Sequence, residues 1–155
     1  MHDNTLLFMR VGLNPTALQI LSTLIEGKEP SIRACQLWYN GERTPKNGIV
    51  DIAHRLDTHM SEYALQIVHD LHVSDKKEIL VCKFKNDDDL WTNHRSMYGL
   101  NNNVHTALIN RIIVIGTAMG IDVHTQTSSV EDEDYNHEAD WNSCANVWID
   151  TGKII

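Results

Sequence analysis

The run TLLFMRVG, residues 5–12, decides how this chain is read. It is almost continuously apolar, and a short apolar run bounded by turn signals reads as a central strand buried on both faces. Asn14-Pro15 follows at once, an N-cap and a proline suited to the first helical position. Ala17, Leu18, Ile20, Leu21, Leu24 and Ile25 then recur at helical spacing until Gly27. A strand feeding directly into a helix sets an expectation of layered α/β structure.

Further along, Ile32–Tyr39 has strand character and stops at the turn pair Asn40-Gly41. Residues 49–72 carry a helical stripe of Ile49, Ile52, Leu56, Met60, Tyr63, Ala64, Ile67 and Leu71. Glu78–Lys85 (EILVCKFK) reads as a strand, and residues 86–103 as a polar, aromatic-bearing loop of a length that is usually functional or mobile. Val104–Met119 predicts a buried helix, with RIIVIG (111–116) open to a strand reading. Gly116 and Gly120 form a GxxxG spacing suited to close packing. Ile121–Thr127 alternates like a strand, Glu131–Asp134 heads an acidic loop over 130–140, and Asn146–Asp150 (NVWID) is a short last strand. The expected fold is one α/β or α+β layered domain over residues 1–155, a mixed sheet of about five strands with three helices packed on it.

A net charge of −8 disfavours non-specific binding to nucleic acid, since phosphates reward Lys and Arg, and fits a basic partner weakly. Cys35, Cys82 and Cys144 are far apart and odd in number, which points away from a disulfide framework and toward a reducing cytoplasm. No secretory leader or membrane-length apolar run is visible. Walker A, GxGxxG and GxSxG motifs are all missing.

Histidine is abundant, nine in 155 residues, and His54, His59, His69 and His72 fall in one stretch. On a helix starting at Ile49, His54 and His72 point to about 140°, His69 to about 200° and His59 to about 280°, all off the apolar stripe. Roughly 27 Å of helix axis separates His54 from His72, so one metal ion cannot hold both. The one local chelating pair is His69 with His72, a doublet for a divalent metal if another segment adds ligands. Val68-His69-Asp70-Leu71 resembles the His-Asp pair of metal-dependent phosphohydrolases in that dipeptide alone. That family's site needs a further upstream His and a downstream Asp inside a helical bundle. His137, Glu138 and Asp140 are weaker candidate ligands in a polar stretch.

Two other constellations stand out. Asp122, His124 and Gln126 share one face of a strand, with side chains two apart roughly 6.5–7 Å from each other. An Asp beside a His suits acid–base work, with Gln126 placed to touch a ligand. In the 86–103 loop, Trp91, His94, Arg95 and Tyr98 mix flat rings with a cation, suited to stacking on a ring or anchoring a protein interface. The adjacent Asp87–Asp89 run reads as a helix start or turn.

Two functions follow as expectations. The first is a small acidic cytoplasmic binding protein, an inhibitor or regulator that sequesters a small anionic or aromatic ligand or blocks a protein partner. The second is a small hydrolase acting on a phosphoester through Asp122 and His124, metal-assisted by His69 and His72. Homo-oligomerisation is compatible with either.

Overall fold

Leu7, Phe8 and Val11 are buried, while Leu6 and Met9 on the same run are 47% and 51% exposed. Burial at i, i+1 and i+4 is helical, so TLLFMRVG belongs to a helix and not to a central strand. This overturns the first expectation and with it the five-strand sheet. In the computed structural model, which describes residues 3–46, 48–128 and 145–155, the protein is mostly helical, with a two-stranded sheet.

Four helices come first: α1 (Asp3–Val11), α2 (Pro15–Glu26), α3 (Ile32–Tyr39) and α4 (Ile49–Val73). α2 begins as its sequence dictates. Asn14 accepts a hydrogen bond from the Ala17 amide at 2.9 Å, Pro15 takes the first position, and the Gly27 amide closes the helix on the Thr23 carbonyl. α3 is the second correction. Ser31 caps it by accepting from the Ala34 amide, and Cys35 and Trp38, three apart, are its buried residues. α4 follows its stripe, with Ile49, Ile52, Leu56, Met60, Ala64 and Val68 buried.

β1 (Glu78–Phe84) and β2 (Asp122–Ser128) pair in parallel, with Glu78 opposite Asp122, Leu80 opposite His124 and Cys82 opposite Gln126. The connection between them is ordered. Residues 86–103, expected as a loop, form α5 (Asp87–Asn93), a short 3-10 turn (Arg95–Met97) and the start of α6 (Asn102–Ala118). Asn86 and Asn101 cap the two helices, accepting from the Asp89 and Val104 amides. Asp87–Asp89 occupy the first turn of α5, where carboxylates suit the positive end of the helix dipole. A Cβ on Gly116 would meet the Val123 side chain at 2.7 Å, so this glycine lets α6 lie directly on β2.

The expected last strand at 146–150 reduces to a single bridge, Ala145 beside Val81, after which the chain turns into α7 (Thr151–Ile154). One apolar cluster runs through the described residues, from Phe8 in α1 through Leu56 and Leu108 to Ile149 and Ile154. An acidic loop at 130–140, with His137, Glu138 and Asp140, lies outside the described residues.

A shared carboxylate fastens three helices. Asp57 of α4 takes Arg10 of α1 at 2.8 Å and Arg111 of α6 at 2.6 Å. Arg111 also donates to the Asp57 carbonyl at 2.7 Å, to Ser61 at 2.6 Å and to the Arg10 carbonyl at 3.1 Å. Among the described residues no helix is long and apolar enough to cross a membrane.

Candidate functional site

The segment 86–103 works on two sides. Its outer side makes a groove with α2. Trp91 is anchored by its ring N–H on the Leu100 carbonyl at 3.0 Å, and Tyr98 leans on it with ring centroids 5.1 Å apart and planes tilted by 58°. Across from the two rings stand Gln19, Thr23 and Leu24 of α2, with Glu29 just beyond the helix. The groove encloses about 470 Å³. Its floor needs Gly99, whose φ is +94° and whose missing side chain leaves room for Leu24. Tyr98 keeps 60% of its surface exposed although its ring is packed on one side.

The inner side of the segment carries one histidine that the core encloses, His94, and α6 adds a second just past the segment, His105. His105 of α6 is fully buried, and its Nε2 lies 2.8 Å from the Val147 carbonyl. His94 caps α5, is 9% exposed, and stacks on Trp148 with centroids 6.0 Å apart. Both rings meet Phe84 edge-on, at 5.4 Å for His94 and 5.2 Å for His105. Burial pushes His105 down to about 4, opposed by the Val147 bond and helped by the charges of His94 and Lys83. Burial also lowers His94, opposed by its bond to the Asn146 side chain. Both rings are therefore neutral at pH 7. Among the described residues His105 Nδ1 and His94 Nε2 have no hydrogen-bond partner.

The residues read from the sequence thus separate. Trp91 and Tyr98 come together on the groove; His94 turns inward, and Arg95 stands exposed outside the groove lining. Asp122 and His124 lie exposed on β2, where His124 Nε2 is 3.7 Å from the Glu78 carboxylate and both side chains are mostly in solvent. Gln126, on the same strand face, is half-buried. His69 and His72 are exposed near the end of α4. Among the described residues no group of three or more His, Cys, Asp or Glu side chains is placed to hold a metal ion.

Sequence reasoning missed the α2 half of the groove. Gln19, Thr23 and Leu24 lie off the buried stripe of their helix, as any solvated face would. Leu24 gave no signal, because in the sequence it recurs with the apolar residues of α2, and its 42% exposure belongs to the structure. His54 and His59, one or more helical turns from His69 and His72 along α4, border a different, shallow hollow of about 360 Å³ with Arg55 and Lys153. No protein-family model matches this chain, and no curated protein or solved structure matches it either.

Proposed function

We propose that the protein is a binding protein, a regulator or inhibitor, whose recognition surface is the groove between α2 and the Trp91–Tyr98 turn. The observation that carries this reading is the ring pair. Trp91 is fixed by its hydrogen bond, Tyr98 is left largely in water, and the two face a concave surface of ligand size. An exposed aromatic beside a preformed groove contributes contact area at small entropic cost, since it has few rotatable bonds. The aromatic half of the expected ligand is favoured over the anionic half, because among the described residues Glu29 is the one charged side chain in the lining and Arg95 is not part of it. A reducing cytoplasm remains the proposed setting, from the wide spacing of the three cysteines.

Titration with indole and p-cresol, followed by backbone amide shifts, tests the reading. Shifts are expected at Leu24, Trp91 and Gly99. Tyr98→Ala is expected to weaken binding about tenfold, the scale of one lost stacking partner. Its stability is expected to change by less than about 0.5 kcal/mol, as for an ordinary surface substitution. Shifts confined to another face, or unchanged affinity in Tyr98→Ala, would remove the groove from consideration.

A further inference from the structure

The hydrogen-bonding groups of the groove are unevenly spent. Trp91 has given its ring N–H to the Leu100 carbonyl at 3.0 Å. Thr23 has given its hydroxyl proton to the Gln19 carbonyl at 2.8 Å, and Gln19 has given an amide N–H to the Pro30 carbonyl at 2.9 Å. Counted among the described residues, the groups left over are mainly acceptors, the Gln19 amide oxygen, the Thr23 hydroxyl lone pairs and both oxygens of Glu29, against one remaining Gln19 N–H and the Tyr98 hydroxyl. Glu29 is exposed and makes no ion pair among the described residues. Among the described residues no Lys, Arg or His lines the groove. Two aromatic faces stand beside these acceptors.

Together these features select an occupant that is cationic, rich in N–H donors and flat. Aromatic faces attract cations through the ring quadrupole. A quaternary ammonium would leave the acceptors unused, for it has no N–H. An ammonium has three donors but no plane to lay on a ring. A guanidinium has five donors in a rigid fork and a face that stacks. From this we infer that the groove receives the guanidinium of an arginine in a basic segment of a partner protein. The inference rests on the groove being the recognition surface. A macromolecular source is favoured because the groove is open with Tyr98 at its rim, and because a chain of net charge −8 attracts basic chains at long range.

The test uses the full chain and three probes: acetyl-Gly-Arg-Gly-amide, the same peptide with citrulline for arginine, and methylguanidine. Amide shifts at Leu24, Trp91 and Gly99 report occupancy, at low ionic strength where the charge is least screened. The arginine peptide is expected to bind at least fivefold more tightly than the citrulline peptide. Glu29→Gln is expected to abolish that preference, and Tyr98→Ala to weaken both peptides. Methylguanidine is expected to bind more weakly than the arginine peptide. Equal affinity for the arginine and citrulline peptides, or a preference that survives Glu29→Gln, overturns the guanidinium assignment while leaving the groove reading intact. Methylguanidine binding as tightly as the peptide overturns the protein-segment assignment. Absence of shifts at the groove with these probes and with indole alike overturns the groove reading itself.

Discussion

His105 shows how one buried side chain sets the acid limit of a fold. Its ring is held neutral, with the Val147 carbonyl on one nitrogen and Phe84 against its edge. Its folded-state value of about 4 lies below the 6.5 of an ordinary histidine, so the unfolded chain binds this proton first. The stability His105 contributes is complete above pH 6.5 and is lost as pH falls toward 4, a difference of about 3 kcal/mol for this residue. His94, also lowered by burial, acts in the same direction. Urea unfolding across pH 7 to 4 should therefore fall more steeply for the natural protein than for His105→Gln. Parallel curves for the two would remove His105 as the cause. The sequence placed His105 in a helix expected to be buried, but nothing in it set this histidine apart from the other eight or named its partner.

Among elements, the Asp57 junction decides how α1, α4 and α6 sit. Arg111 is mostly enclosed, at 15% side-chain exposure, and reaches two side chains and two backbone carbonyls; Arg10 is 62% exposed and holds the same carboxylate from outside. Arg111→Met should cost about 3 kcal/mol, the scale of an enclosed ion pair that loses one partner. Arg10→Ala should cost less than about 1 kcal/mol. Denaturant unfolding of both variants distinguishes them, and equal losses would contradict the asymmetry. Elements with clear periodicity or caps were legible in the sequence: α2 from Asn14-Pro15 to Gly27, α4 from its stripe, β1 and β2, with α6 read as a helix whose 111–116 portion stayed open to a strand. α1 was not, because Leu6 and Met9 fill its solvent face with apolar residues and erase the 3.6-residue period that marks a helix. α3 spans eight residues and buries only Cys35 and Trp38, too short a pattern to outweigh its strand-like composition. In 86–103 the polarity that read as a loop was two asparagine caps and an acidic first turn.

For the molecule as a whole, residues 145–155 complete the core instead of trailing from it. Val147, Ile149 and Ile154 are buried in the main cluster, and Val147 supplies the partner of His105. Removing 145–155 should cost about 5 kcal/mol or more, comparable with the whole stability of a small domain. Circular dichroism should then show a broad thermal transition in place of a cooperative one; a sharp transition at an unchanged midpoint would refute this. Of the candidate site, Trp91 and Tyr98 were legible as flat rings in a conspicuous segment. Their partner face on α2 was not, because which solvated helix face meets which segment is fixed by tertiary packing, and no local pattern records it.

The parallel sheet also orders events in time. Each rung joins β1 to β2 across α5 and α6, so no rung can close until the chain has been made as far as Asp122. Non-local pairing of this kind meets its loop-closure cost before it gains any contact energy, whereas α1 to α4 lie wholly upstream of β1 and can pack on one another before β2 exists. During synthesis β1 therefore waits with an unmatched backbone edge while the first four helices assemble. That interval is when the nascent chain is most open to pairing with the wrong strand, its own or a neighbour's.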